Sequence, residues 1–425
     1  MSNALYRLST ANQYDVAVRN IGQRQTSLSN LQENLTSGKR VVRASDDPVA
    51  AAQAERALTR LSRIQTEQRA LETQRNAIAQ AESAMGDAVG LVQNARELIV
   101  SAGNGTLTPN DRATIANQLQ GLREQLSEVA NRKDTNGVPL LGALGSALSP
   151  FLGPLSTSPD YKFDGLAGQY SSSTGVTIPN TLDGDSAFMF QPQRDGVYNA
   201  SLSAIPSSRR LTTDAIKPVD LGLVNGHNYS IVFSAVGPGA TPGTSTATYT
   251  INDLTLSTSS APVTVPDFPS DKPLSLEISA ATNPTVHVPG LSFKITGTPA
   301  TGDTITLKPS ASVFSALDSA INDIRNAPNS NAASQAVGQA LANLDSGLER
   351  MHNMRGYAGE LLNRADRITG DQEKRSIQLE DDRSRAEDLD MIKGFSDFQN
   401  QQVGYEAALK SYASVQKLSL FNFIS

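Results

Sequence analysis

Apolar residues recur every seventh position through the N-terminal flank, at Ala57, Ile64, Leu71, Ile78, Met85, Val92 and Ile99. A companion line of alanines, Ala81, Ala88, Ala95 and Ala102, joins it in the second half. Alternating steps of three and four keep one helix face apolar, and alanines let a partner helix approach closely. A long helix is predicted. Ser45-Asp46-Asp47-Pro48 marks its start, with Asp47 able to cap free N–H groups and Pro48 suited to the first turn. Gly103-Asn104-Gly105 marks its stop. A second start at Thr108-Pro109-Asn110-Asp111 leads into a stripe of Ile115, Leu119, Leu122, Leu126 and Val129. Upstream, Tyr14, Val18, Ile21, Leu28 and Leu35 share a face that Gln25 and Gln32 interrupt. Ser37-Gly38 predicts its end, with glycine as the left-handed cap.

The C-terminal flank mirrors this. Val337, Leu341, Leu344, Leu348 and Met351 step four, three, four, three. Residues 364–393 are dense in mixed charge and read as a solvated helix face. Tyr405, Leu409, Tyr412, Val415 and Leu418 form a last stripe ahead of Leu420-Phe421-Asn422-Phe423-Ile424. Between the flanks the period changes to two. Tyr229–Phe233, Thr246–Ile251, Leu291–Ile295 and Thr304–Leu307 alternate as strands do. Asn225-Gly226 predicts a type I′ turn, and Gly297–Asp303 a turn between two strands. Residues 139–160 show weaker patterning and read as irregular.

Composition sharpens the division. Residues 136–310 hold 18 of the 21 prolines, 17 of the 31 glycines and 20 of the 78 charged residues. Proline lacks an N–H and clashes with the preceding turn, so the flanks admit long helices and the middle does not. The fold class predicted is α+β: N- and C-terminal helices paired as a long antiparallel rod or coiled coil, with an inserted, mainly β domain of one or two modules. The predicted division is 1–42, a first helix; 43–135, helices of the rod; 136–310, the β insert; 311–394, returning rod helices; and 395–425, a last helix. Ile64, Leu71, Ile78, Met85, Val92 and Ile99, with Leu341, Leu344 and Leu348, are the expected rod seam. The two extreme ends carry thinner stripes, an expected sign of order gained only under a partner.

Charge and chemistry exclude more than they suggest. The formal net charge is −6, which disfavours a nucleic-acid partner. No cysteine is present, so disulfides, thiolate metal sites and cysteine nucleophiles are out. No stretch approaches 18 apolar residues, so no membrane-inserted helix is expected, and the first ten residues lack a secretory h-region. His227, His287 and His352 are far apart in sequence and read as isolated surface or turn residues. Asp183-Gly184-Asp185 reads as a hairpin turn, because the other oxygens of a calcium loop are missing. Glu380-Asp381-Asp382 and Glu387-Asp388 read as solubilising charge. No catalytic constellation, cofactor or metal site is expected.

Several motifs carry a resemblance. Leu31-Gln32-Glu33-Asn34-Leu35-Thr36-Ser37-Gly38-Lys39-Arg40, followed by Ala44-Ser45-Asp46-Asp47-Pro48-Val49-Ala50-Ala51-Ala52-Gln53, resembles the N-terminal signature of the flagellin and hook-associated protein superfamily. Within it, the Asp-Asp-Pro element is similar to hook–filament junction members, whereas flagellin usually continues Asp-Asp-Ala-Ala-Gly. Ser101–Leu107 with Asp111-Arg112, Gly297–Asp303, Tyr405–Leu409 and the ending Leu418–Ile424 point the same way. The resemblance covers residues 1–135 and 311–425 well and the insert in patches. Residues 138–160 keep only a loose likeness, and the stretch 205–285 looks longer than in compact relatives, an expected extra β module.

The resemblance implies a structural component of the bacterial flagellum, an adapter between the hook-associated zone and the flagellin filament, without catalysis. It implies partners: further copies of the chain in a ring or short helical zone, hook-associated protein 1, flagellin, a cytosolic export chaperone and the flagellar type III export apparatus. It implies an extracellular, flagellar location reached without a cleaved signal peptide. It assigns inter-subunit contacts to Tyr14, Val18, Ile21, Leu28 and Leu35 with Tyr405, Leu409, Tyr412, Leu418, Leu420 and Phe421, and the inner-helix connection to Gly38, Asp46, Asp47 and Pro48. A minor flagellin is the nearest alternative. An insert that binds a surface or a glycan is another, and an enzyme carried on the insert is the least supported.

Overall fold

The computed structural model describes residues 2–157, 159–169, 177–203, 211–279 and 288–424. Three helices come first: α1 (Ser2–Ser37), α2 (Pro48–Ala102) and α3 (Pro109–Ala130). The middle holds strands β1 (Gly145–Leu152) and β2 (Lys162–Leu166), short helices α4 (Gly184–Phe188) and α5 (Pro192–Asp195), then β3 (Tyr198–Ser203), β4 (Thr212–Thr213) and β5 (Lys217–Pro218). It continues with β6 (Tyr229–Pro238), β7 (Thr244–Asp253), β8 (Thr258–Ser259), β9 (Val263–Pro269), β10 (Leu274–Ser279), β11 (Leu291–Gly297) and β12 (Thr304–Pro309). Helices α6 (Val313–Arg325), α7 (Ser330–Glu387) and α8 (Met391–Ile424) close the chain. The fold is α+β. It divides into two compact units, Met1–Ala70 with Ile368–Ser425, and Leu71–Arg367. No helix among the described residues is long and apolar enough to cross a membrane.

In the larger unit α2 and α7 run antiparallel. Arg75 meets Asp366 at 3.1 Å, Glu82 meets Arg355 at 2.7 Å and Arg96 meets Asp345 at 2.9 Å, so the two helices count in opposite directions at equal pace. Leu71, Ile78, Met85, Val92 and Ile99 are buried, and so are Ala81, Ala88, Ala95 and Ala102. On α7 the buried row is Leu344, Met351, Ala358 and Ala365. Leu341 and Leu348 stay half-exposed. The reason is a second neighbour. Gln339 and Asn343 turn a buried polar flank to β3, donating to the Tyr198 carbonyl at 2.8 and 3.3 Å, and the Gln339 oxygen accepts from Ile216 N at 3.2 Å. Apolar spacing alone does not reveal that flank.

Helix α3 starts on a full capping box: Thr108 accepts from Asp111 N, and Asp111 accepts from Thr108 N. Buried Arg112 then donates to the carbonyls of Leu107 and Ala327, both at 3.1 Å, tying the α2–α3 loop to the α6–α7 loop. Helices α3 and α6 are linked by Arg123 and Asp318 at 2.9 Å. Near the end of α6, burial pushes the Asp323 carboxyl up to about 6. The folded chain therefore favours its protonated form. Stability is greatest below the ordinary carboxylate range, falls as the pH rises from about 4 to 6, and stays lower above. Asp323→Asn is expected to raise the melting temperature at pH 8, by a gain on the order of 1–3 kcal/mol, and to change little at pH 4. Thermal melting at both pH values checks this; equal effects at the two would refute it.

The insert contains one sandwich. A six-stranded sheet runs β3-β12-β6-β7-β8, with β9 also on β7. A four-stranded sheet runs β10-β11-β4, with β5 also on β11. Their inner faces share one core, including Tyr198, Ile231, Phe233, Tyr249, Ile305 and Leu307 from the first and Leu274, Ile278, Phe293 and Ile295 from the second. The strands from β4 to β10 thus belong to this sandwich, and the described part of residues 205–285 is not a separate module.

Three local readings change. Residues 145–152 are strand β1, paired antiparallel with β2, because the hairpin partner lies beyond the irregular-looking stretch. Gly297–Asp303 is the expected turn between two strands, β11 and β12, and it carries the chain from the four-stranded to the six-stranded sheet, with buried Asp303 accepting from Ala300 N at 2.8 Å. Asn225-Gly226 is not a type I′ turn, since only Gly226 has positive φ. Asn225 instead accepts from His227 N and the Tyr229 hydroxyl. Asp183 is the buried N-cap of α4, accepting from Ser186 N, not part of a hairpin turn. His287 lies outside the described residues, and His227 pairs with Asp253 at 2.6 Å.

Outside the sandwich core, the rings of Phe151, Phe163, Tyr161, Phe188 and Phe314 join β1, β2 and α4 to α6, with centroids 5.3–5.8 Å apart. Tyr161 donates to Asp318 at 2.6 Å and Ser315 to Asp160 at 2.7 Å, locking this cluster to the helices.

Candidate assembly interface

The smaller unit is built around two helix breaks placed side by side. The first lies between α1 and α2. Gly38 ends α1 at φ 70°, a conformation that disfavours any side chain with a Cβ. Asp46 accepts from Val42 N at 3.2 Å and Arg43 N at 2.8 Å, folding the loop back. Asp47 accepts from Val49 N and Ala50 N, and Pro48 opens α2. The Ala50 N–H, with the Arg40 guanidinium beside it, holds the Asp47 carboxyl below the usual carboxylate range.

The second break lies between α7 and α8. Asp390 caps α8 by accepting from Ile392 N and Lys393 N, both at 3.1 Å. Leu389 lies so close to Gly394 that a Cβ there would meet it at 2.8 Å. The two breaks are stitched together. Arg40 N donates to the Glu387 carbonyl at 2.7 Å, Leu389 N donates to the Gly38 carbonyl at 2.9 Å, and Lys39 pairs with Glu387. Arg40 also donates to the Ala386 carbonyl at 2.9 Å. Val41, Ala50, Ala54 and Ala386 form a small buried core beneath. The division expected between 394 and 395 falls a few residues beyond this break, because Asp388-Leu389-Asp390 sits inside a charge run that reads as one continuous face. The cue was an aspartate ahead of Met391-Ile392.

Beyond the breaks α1 and α8 pair antiparallel. The rings of Tyr14 and Tyr412 meet edge-to-face at 6.0 Å. Tyr14, Ile21, Leu28 and Leu35 on α1 and Tyr405 on α8 are half-buried. The structure thus spends much of this row on pairing within the chain. Val18 at 53 % and Leu409 at 40 % exposure remain open, as do Val16 and Val403. The side chains of Leu418, Leu420 and Phe421 lie outside the described residues, although their backbone belongs to α8. Ala57 and Ile64 are buried on the stretch of α2 that lies in this unit. The arrangement offers two paired helices, joined to the rest of the unit through a capped double break, with apolar side chains left outward. Such a device suits packing against other helices, not chemistry. Among the described residues no group of three or more acidic or histidine side chains is placed to hold a metal.

Residues 8–144 match the bacterial flagellin N-terminal helical region. Over 145 residues the chain is 38 % identical to flagellar hook-associated protein 3 of Salmonella typhimurium, covering 34 % of this chain and 46 % of that protein. The chain resembles flagellar hook-associated protein 3. The same protein of Escherichia coli matches equally, at 38 % identity over the same shares of each chain. Phase 1 flagellin of Salmonella naestved matches more weakly, 29 % identical over 122 residues, which is 29 % of this chain and 24 % of that one. The match to hook-associated protein 3 thus spans about half of that protein's length. Among solved structures, the flagellar junction protein FlgL from Legionella pneumophila superposes with a TM-score of 0.56 at 22 % identity, over 74 % of this chain and 99 % of that one. Flagellar hook associated protein-3 from Legionella pneumophila superposes with a TM-score of 0.59 at 21 % identity, over 77 % and 98 %. Hook-associated protein 3 and this chain therefore share a fold in which helices from both ends of the sequence flank an inserted β region.

Proposed function

We propose that this chain is a structural subunit of the bacterial flagellum, the adapter between the hook-associated zone and the flagellin filament, and not an enzyme. One observation carries the reading: α1 and α8 form a pair with apolar side chains facing outward, attached through two stitched helix breaks. A helix pair of this kind is half of an interface, and burying each aliphatic against a neighbour contributes roughly 1.5–3 kcal/mol. The breaks give the pair a defined place to adjust its angle while the capping and backbone hydrogen bonds hold the connection. An adapter between two helical lattices needs that combination. The match to hook-associated protein 3 at 38 % identity, against 29 % for flagellin, supports the junction reading over a bulk filament subunit.

In this reading the chain assembles with copies of itself, meets hook-associated protein 1 on one side and flagellin on the other, and reaches the flagellum through the type III export apparatus with a cytosolic chaperone. Deletion of the chain in its host, followed by electron microscopy of the cells and an assay of flagellin in the medium, tests this. Hooks without filaments, with flagellin shed as monomer, are the expected result. Filaments of normal form would instead make the chain a minor filament subunit.

A further inference from the structure

We propose that copies of this chain pack side by side through a charge-complementary ridge and groove in the smaller unit: the α7 ridge Glu373–Ile377–Asp381 of one copy seats in the groove between α2 and α7 of the next. The inference deepens the adapter reading and rests on it, since it names the surfaces by which copies meet.

The charge is unevenly divided. Residues 1–70 carry ten Lys and Arg against six Asp and Glu, whereas residues 368–425 carry seven against ten. Arg56 and Arg60 of α2 open onto a groove of about 540 Å³ that Arg40, Asp47, Asp382 and Arg385 also line, with Val49, Ala57 and Leu379 among its apolar lining. Arg40 and Arg385 have partners, Asp47 at 3.3 Å and Asp382 at 3.4 Å. Arg56 and Arg60 make no ion pair among the described residues, although both line the groove. They stand four residues apart, about 6 Å along one helix face. Val49 beside them is 68 % exposed.

The ridge carries the complement. Gln372, Leu379 and Ala386 mark the side of α7 turned towards its helix partner in the chain, so Glu373, Ile377 and Asp381 stand on the opposite side. Ile377 is 64 % exposed, a branched aliphatic in water at the centre of a charged helix. Glu373 and Asp381 flank it at four residues on either side, and neither makes an ion pair among the described residues. An apolar centre bordered by two carboxylates, eight residues apart, meets an apolar lining bordered by two guanidiniums, four residues apart. Interfaces repeat that anatomy, an apolar core inside a polar rim. The two surfaces differ and lie on one molecule, so the contact is heterologous: each copy offers its ridge to one neighbour and its groove to another. Such contacts generate rings or helical arrays.

The test uses full-length chains returned to the deletion strain, with flagellin in the medium and filaments per cell as readouts. Melting temperature and the exported amount of each variant serve as folding and secretion controls. Arg56→Glu with Arg60→Glu, and separately Glu373→Arg with Asp381→Arg, convert attraction to repulsion and are expected to weaken each lateral contact about tenfold. Each pair should shed flagellin and lose filaments while melting as the parent does. The chain carrying all four changes has its charges exchanged and should restore filaments. Normal filaments with either double variant, or no recovery with the fourfold variant although it is exported, would overturn the ridge-and-groove contact. A deletion strain that keeps normal filaments overturns instead the adapter reading on which the contact rests.

Discussion

Ile78→Asp is expected to unfold the larger unit near its centre, lowering its stability by about 4–5 kcal/mol. Ile78 is fully buried. It sits between the Arg75–Asp366 and Glu82–Arg355 links, so the α7 residues at its level are Ala358 and Leu361, both buried. Aspartate there leaves a void where the branched side chain was and places a carboxylate in a buried apolar seam. Ionisation in that seam is costly, so the carboxyl would be held protonated or the helices would part. A loss of this size shifts the melting temperature of a unit this large by on the order of 10 °C. Differential scanning calorimetry of the purified chain checks it. A thermogram matching the parent's would show that α2 and α7 do not depend on this seam. Ile78→Val, which removes one methylene, should cost only about 1 kcal/mol and gives the scale for the larger change.

Phe314→Ala is expected to destabilise the same unit by about 3–5 kcal/mol and to loosen the insert from the helices. Phe314 is fully buried at the start of α6. Its ring stacks on Phe188 at 5.5 Å and on Tyr161 at 5.3 Å, and meets Phe151 at 5.8 Å. Those three come from α4, from the turn before β2 and from β1, so one side chain holds three separate segments of the insert. Truncation leaves a cavity that rigid neighbouring rings cannot fill, and each lost aromatic pairing adds to the transfer cost. Hydrogen exchange followed by mass spectrometry checks the local part: amides of 145–166 should lose protection more than those of 229–253. Equal loss across both ranges would mean that the ring contributes to global stability without anchoring the insert.

Legibility in the sequence followed the range of the interaction. The seam of α2 shows in the sequence because burial repeats every seven residues along one helix, and each position reports independently. Caps at Asp47 and Thr108 show because a short side chain meets an N–H two or three residues away. The second break, at Asp388–Asp390, lies several residues before the expected division at 394–395, because its cap has the same chemistry as the charged positions around it. Gln339 and Asn343 show how a polar residue disappears from such a reading: both are buried, since β3 supplies carbonyls that apolar periodicity does not register.

The candidate interface was legible in part. Gly38, Asp46, Asp47 and Pro48 are marked by their turn chemistry. The stripe from Tyr14 to Leu35 is marked as apolar, yet its use is not. Tyr14 closes on Tyr412 of the same chain, while Val18 and Leu409 face outward, and only the pairing of α1 with α8 separates those two fates.

The sequence by itself determined the α+β class and the starts of α2 and α3, because proline exclusion, capping and helical periodicity act over a few residues. Only the tertiary structure decided that β11 and β12 belong to different sheets, that both sheets share one core, and that Glu387, Leu389 and Asp390 complete the joint begun at Gly38. Those are pairings between residues tens to hundreds of positions apart. They are selected by shape and hydrogen-bond partners that exist only once the chain has folded.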